Sequence, residues 1–229
     1  MKRILFLFKS SASINTLLFF LYKKFLNIFL KREIKRFKLN NRIFLERKKI
    51  TRDYFSLNAY NFYSCLSKLK KDFKYLEIGS YEGNSALFVE NYFNNAKIYC
   101  VDTWSGSNEH ANHNFGIIEK NFNCNVKNKK RIKKIKNTSN KFFSINKILF
   151  DVIYIDGYHF APQVYADCIN AWRCLKKNGY LICDDYIWQN YSKIEENPCF
   201  AINKFLKEIK KSYELINISN NQIFIKKIF

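Results

Sequence analysis

A chain of 229 residues with 48% apolar content is long enough to bury a full core and too apolar to be disordered. Its formal charge of +21 invites a nucleic-acid or anionic-lipid partner, but fourteen Lys/Arg against only Glu33 and Glu46 fall in residues 1–50, and the wealth of Lys, Asn, Ile, Phe and Tyr is also what A/T-rich codons produce. Seven cysteines, an odd number with no CxxC pair, argue against a disulfide framework or a zinc site and for reduced core residues in a cytoplasmic protein.

The chain opens with MKRILFLFKSSASINTLLFFLYKKFLNIFLKR, whose apolar runs Ile4 to Phe8 and Leu17 to Tyr22 are cut by Lys9, Lys23 and Lys24. A membrane span needs about 20 apolar residues in succession, and no small-residue cleavage site follows, so neither a span nor a signal peptide is expected. The pattern that remains is a basic amphipathic helix with Leu18, Leu21, Tyr22, Phe25 and Phe29 on one face and Lys23, Lys24, Asn27 and Lys31 elsewhere. Such a stripe ordinarily docks on the protein's own core or on a sister subunit, which would make a homo-oligomer. Its other use is peripheral contact with the inner face of an anionic membrane, through residues 11–38. Residues 1–50 are read as this helical extension and 51–229 as the main domain. A second helix is expected from Thr51 to Leu69, with Phe55, Ala59, Phe62, Leu66 and Leu69 at helical spacing.

Beyond it, short apolar runs alternate with helical segments. Strands are predicted at Tyr75 to Ile78, Lys97 to Val101, Ile132 to Lys136, Asp151 to Ile155 and Tyr180 to Cys183, and helices near 84–94, 112–123, 139–147 and 162–176. This βαβ alternation implies an α/β fold, a parallel sheet with helices on both faces. A helix near 199–211 then leads to YELINIS and QIFIKKIF, joined through Asn220 and Asn221, a terminal antiparallel hairpin. The basic run VKNKKRIKKIK overlaps the third strand and lacks the interleaved aromatics of a single-stranded RNA platform. Lysines protect an exposed sheet edge, so an edge strand is expected there and nucleic acid is disfavoured.

Of only six glycines, four punctuate these strand ends: Gly79 and Gly83 in LEIGSYEGNS, Gly157 in YIDGYHF and Gly179 in KKNGYLICDDY. The first turn follows Glu77 and enters a helix N-terminus, which suits a polar ligand group. Its GxxxG spacing is neither the dinucleotide fingerprint nor a phosphate loop. The second strand ends in Asp102, where this architecture holds a ribose diol; the alternative use is a helix cap.

LEIGSYEGNSA, VDTWSGSNEH, DVIYIDGYHFAPQVYADCINAW and LKKNGYLICDDY, in that order, resemble class I S-adenosylmethionine-dependent methyltransferases, and more narrowly the small-molecule and sugar O-methyltransferase branch that includes macrocin-type enzymes (methyltransferase family 24). The resemblance covers about residues 73–229 and none of residues 1–50. It implies a Rossmann-like, seven-stranded sheet in the order 3-2-1-4-5-7-6 with the seventh strand antiparallel. It places Glu77, Gly79, Ser80 and Gly83 around the methionine part of S-adenosyl-L-methionine, Asp102 on the ribose, Trp104 near the adenosine, and Ser139 near the adenine. The bland alternatives are packing for Trp104 and capping for Ser139.

Asp156, Asp184 and Asp185 close the fourth and fifth strands, neighbours in the implied sheet, where they would repel one another. In metal-using members of the branch, acids at these positions hold the ion, so Mg2+ is an expected partner of all three, with Asp156 shared by cofactor and chemistry. Capping without an ion is the alternative. Where some sugar-methylating relatives carry a second acid, this chain has Tyr158 followed by His159, a candidate general base or an ordinary loop histidine. His110 is a weaker candidate of the same kind. The expected reaction is methyl transfer to a hydroxyl of a sugar, glycan precursor or small polyhydroxylated metabolite. The rivals are an RNA or protein methyltransferase and a non-catalytic membrane-surface protein that keeps the fold.

Overall fold

Strands at the centre of an α/β sheet are covered on both faces, so each reads as an unbroken apolar run, whereas helices on the flanks keep one polar side. The computed structural model describes residues 2–69, 71–106 and 113–229. Seven strands form one sheet in the order β3-β2-β1-β4-β5-β7-β6. They are β1 (Phe73–Ile78), β2 (Ala96–Asp102), β3 (Ile132–Lys136), β4 (Phe150–Ile155), β5 (Leu175–Cys183), β6 (Tyr213–Ile218) and β7 (Ile223–Lys227). All neighbours pair in parallel except β7, which runs antiparallel to both β5 and β6. The hairpin expected at the C-terminus is present, and the lysine-rich β3 is an outer strand.

The helices are α1 (Lys2–Lys9), α2 (Ile14–Phe29), α3 (Lys31–Leu45), α4 (Ala59–Leu66), α5 (Asn84–Tyr92), α6 (Phe115–Val126), α7 (Ser139–Ile145), α8 (Ala161–Cys174) and α9 (Pro198–Glu208). Alternate residues of each strand serve opposite layers: Leu76, Ile78, Ile153, Ile155 and Leu181 join α7, α8 and α9 in one core, and Tyr75, Ile98, Val152, Tyr154 and Ile182 join α4, α5 and α6 in the other.

The N-terminal residues are built into both layers. Phe6, Leu7 and Phe20 belong to the first core and Phe37 to the second, while α2 packs along β6 and so covers the sheet edge opposite β3. Two sequence expectations change here. The side of α2 that docks carries Thr16 and Phe20, not the predicted stripe of Leu18, Leu21, Tyr22, Phe25 and Phe29, which faces solvent. And the helix expected from Thr51 starts only at Ala59. The reason is local: Asp53 accepts from the Ser56 N–H and Thr51 N–H donates to Glu82, so side chains bind this backbone outside a helix. Phe55, Ala59, Phe62 and Leu66 are buried all the same.

Candidate active site

The order of strands reverses between β1 and β4, and an open sheet of this kind has its crevice at the carboxyl ends on either side of that point. At β1 the chain leaves the sheet through Gly79 at φ 86° and enters α5 through Gly83 at φ 85°, both in the left-handed region. Gly79 answers a second demand: a Cβ there would lie 1.9 Å from the Asp156 carbonyl oxygen, so the ends of β1 and β4 meet only because it has none. Three non-glycine residues on the neighbouring loops also hold positive φ, Tyr81 at 47°, Trp104 at 47° and Asp185 at 51°. Such conformations cost about 1–3 kcal/mol each and gather at functional sites.

Asp102 organises the first loop. Its Oδ2 accepts from the N–H groups of Ser80 at 2.8 Å and Tyr81 at 2.9 Å, and its Oδ1 from the Trp104 N–H at 2.7 Å. A carboxylate offers about four acceptor positions, so one remains for a ligand. Trp104 is turned under the loop, its Nε1 donating to the Tyr81 carbonyl and its ring packed on Phe122 beneath the Lys134 ammonium. These contacts give Trp104 a packing role at the end of β2. Ser139 opens α7 and accepts from the Gln163 amide, which also donates to Asp167, while Thr138 caps the helix. Burial pushes the Asp167 carboxyl up to about 6.

Glu77 is fully buried in β1. The Tyr75 hydroxyl donates to its Oε2 at 2.9 Å, while its Oε1 and the buried Ser80 Oγ lack hydrogen-bond partners. Removal from water raises this carboxyl to about 7, with the nearby Ser85, Tyr75 and Ser80 hydroxyls opposing the rise. The folded protein therefore keeps a proton that the unfolded chain releases near its ordinary value of 4.5, and stability falls as pH climbs from there to about 7. Glu77→Gln is expected to remove this share of the slope and to add about 3 kcal/mol at mildly alkaline pH. Urea unfolding at acid and alkaline pH reads it; an unchanged slope in the variant would assign the dependence to other acids.

The same device recurs on β4. Tyr154, two residues before Asp156 as Tyr75 is two before Glu77, directs its hydroxyl at Asp156 Oδ2 at 2.9 Å and at Asp184 Oδ2. One hydroxyl has one proton and cannot donate to both at once, so the second contact is satisfied when the other acid is protonated and donates to the phenol oxygen. Burial raises both carboxyls, that of Asp184 strongly, and each acid is raised further by an aspartate neighbour. Asp184 is tied from its other oxygen by the Asp185 N–H.

This places the acids differently from the expected trio. The donor atoms that converge are those of Asp156, His159 and Asp185, all within 4.8 Å of one another. His159 Nε2 lies 2.9 Å from Asp185 Oδ2 and 3.6 Å from Asp156 Oδ1. Asp184 sits behind them on Tyr154. Two carboxylates and an imidazole are a donor set that divalent ions accept. The His159 ring rests on Trp188 at 4.9 Å, and Tyr191 reaches both Trp188 and Phe160, which forms an aromatic wall outside the cluster. His110 lies outside the described residues.

Two contributors escaped the sequence reading. Glu82 is 1% exposed and accepts from Thr51 N–H and Oγ1 and from Asn121, and Asn125 donates to the Glu82 and Lys49 carbonyls. Together they fasten the glycine turn to the N-terminal segment. The repeated Tyr-x-acid of YLE and YID was a legible signal for the paired hydroxyl–carboxyl contacts; nothing local signals Glu82 or Asn125, whose partners are tens of residues away.

Residues 76–186 match the model of a family described as a methyltransferase domain, from within β1 to just beyond the paired acids. With the fold, this makes residues 76–186 similar to a methyltransferase domain. The chain is 26% identical over 144 residues to the uncharacterized protein R132 of Acanthamoeba polyphaga mimivirus, an alignment covering 62% of this chain and 62% of that relative's length. Among solved structures it is similar to the O-methyltransferase NovP, at 13% identity and a TM-score of 0.58 over 74% of this chain and 78% of that one. It is also similar to MycE methyltransferase of the mycinamycin biosynthetic pathway, solved with Mg, SAH and mycinamycin VI, at 14% identity and 0.56 over 77% and 51%. At these identities the likeness to solved structures is one of fold.

Proposed function

We propose that the protein transfers the methyl group of S-adenosyl-L-methionine to a hydroxyl oxygen of a sugar, a glycan precursor or another small polyhydroxylated acceptor, assisted by a divalent cation such as Mg2+. The observation that carries this reading is the meeting of Asp156, His159 and Asp185 beside the Gly79 turn, at the reversal of strand order. The structural likeness to NovP and to MycE, the latter solved with Mg and SAH, agrees with it.

The residues fit the donor. Glu77 Oε1 and Ser80 Oγ are buried polar atoms lacking hydrogen-bond partners at the glycine turn, where the methionine end would lie, and the last acceptor position of Asp102 is available to a ribose hydroxyl. Asp156 and Asp185 would hold the cation, with His159 as the third donor. When bound, the cation lowers the pKa of a coordinated acceptor hydroxyl. The chain's own residues align: the sulfonium is already activated, so bringing the reacting atoms to about 3–3.5 Å is the main task. Trp188, Tyr191 and Phe160 exclude water from the acceptor side and offer flat faces to a sugar ring.

Calorimetry with S-adenosyl-L-methionine, with and without Mg2+, tests this on the native chain and on Asp102→Ala. Micromolar binding by the native chain is expected, weakened at least tenfold in the variant because three backbone N–H groups of the loop lose their acceptor. No heat of binding in either condition rejects the donor; binding without methylation of any polyhydroxylated acceptor rejects the chemistry.

A further inference from the structure

The N-terminal helix presents its apolar side the wrong way round for a protein in water. Ile14, Leu18, Leu21, Tyr22, Phe25, Ile28 and Phe29 recur at helical spacing along α2, and all are exposed: Ile14 at 74%, Leu18 at 60%, Phe25 at 58% and Phe29 at 68%. In α1, Leu5 and Phe8 are exposed at 54% and 67%. A continuous apolar stripe of this extent marks an interaction surface. It is no loosely placed segment, for the opposite side of α2 is anchored by Phe20, which is 1% exposed in the core, and Ser13 caps the helix through the Thr16 N–H.

Charge decides what covers the stripe. Residues 1–32 contain seven Lys/Arg and no acid. The spacing of Ile14, Leu18, Leu21, Phe25 and Ile28 would suit a two-helix seam, but a seam with a second copy would bring cations together without the flanking acids that normally pair them. An anionic bilayer both takes up the apolar side chains and neutralises the lysines, each near-surface cation adding to the attraction. Lys24 is exposed, its ammonium over the Phe20 ring at 5.4 Å, and Lys2, Arg3, Lys9, Lys31 and Arg32 are exposed as well, so their charges are free to meet anionic headgroups, whereas Lys23, over Phe19 at 5.3 Å, is half-buried toward Lys68 and Cys65. Among the described residues no helix is long and apolar enough to cross a membrane.

We propose that α1 and α2 dock the protein on an anionic membrane surface, with α2 lying in the interfacial plane. The placement carries a consequence for the site. A groove of about 230 Å³ separates α1 from the loop after Asp185, with Lys2, Phe6 and Lys9 on one side and Tyr191 and Asn197 on the other. Docking therefore holds the outer wall of the acid cluster close to the lipid–water boundary.

The test needs no catalytic activity and is independent of the reading of the active site. The full chain is sedimented with vesicles of phosphatidylcholine alone and of phosphatidylcholine mixed with phosphatidylglycerol. Binding is expected to the anionic vesicles only, weakening as salt is raised. Leu18→Ser and Phe25→Ser should each lower partitioning roughly tenfold, since each removes part of the free energy of burying a large side chain, with thermal unfolding unchanged because both side chains are exposed. Failure of the folded chain to sediment with anionic vesicles overturns the proposal. So does unaltered sedimentation of both variants, which would mean adsorption by charge elsewhere. A dimer in light scattering that Phe25→Ser converts to monomer, without lipid binding by the native chain, assigns the stripe to a second copy instead.

Discussion

Gly79→Ala is expected to destabilise the protein by about 4 kcal/mol or more, the largest loss from adding a single methyl group anywhere in the glycine turn. Two costs add. An L-residue at φ 86° is strained by about 1–2 kcal/mol. The added Cβ would also stand 1.9 Å from the Asp156 carbonyl oxygen, which is backbone and cannot rotate away, so β1 and β4 must separate at the site. Gly83→Ala is the control. Its φ of 85° is equally strained, but the nearest atoms are the Phe122 ring at 3.1 Å, which can shift. Urea unfolding of both variants gives the comparison, and equal losses would mean that the meeting of the two strand ends is not what Gly79 secures. Because Asp156 is the residue displaced, Gly79→Ala should also lose any cation dependence before it loses its secondary structure, as read by far-ultraviolet circular dichroism.

The second large effect separates the acids. Asp156→Asn is expected to lower kcat about 1,000-fold on the proposed reaction, because it removes one of the two carboxylates that would hold the cation lowering the acceptor hydroxyl's pKa. Asp184→Asn should cost only about tenfold, the usual order for a residue that positions another. The distinction follows from geometry: Asp156 points one oxygen toward His159 and Asp185, whereas Asp184 spends its two oxygens on the Tyr154 hydroxyl and the Asp185 N–H. Raising the Mg2+ concentration should partly restore Asp185→Asn, which keeps two of three donors, and should leave Asp184→Asn unchanged. Steady-state rates over a Mg2+ titration measure this; equal losses at Asp156 and Asp184 would return Asp184 to the cation site and remove His159 from it.

How far each feature could be read in advance depended on how local its cause is. β1, β2, β4 and β5 are mostly buried, so the pattern that makes them strands lies within six to nine residues of chain. The lysines of β3 identify an outer strand for a similarly local reason. Thr51 to Asn58 carry an apolar spacing that fits a helix, yet a carboxylate at Asp53 and a distant acceptor at Glu82 take their backbone donors, and the helix begins late. The α2 stripe was visible, but periodicity states only that one side differs from the other. That Phe20 and Thr16 face inward was settled by packing against β6 and the α8–α9 layer.

The amino-acid order by itself determined the strand succession, the glycine turn, and the location of acids at the ends of β1, β2, β4 and β5, because backbone preference and alternation act between near neighbours. Only the tertiary structure decided which of those acids meet. His159 joins Asp156 and Asp185, Asp184 withdraws onto Tyr154, and Asp102 turns back to hold the loop, since side-chain convergence depends on the pairing and twist of strands that are dozens of residues apart in the chain.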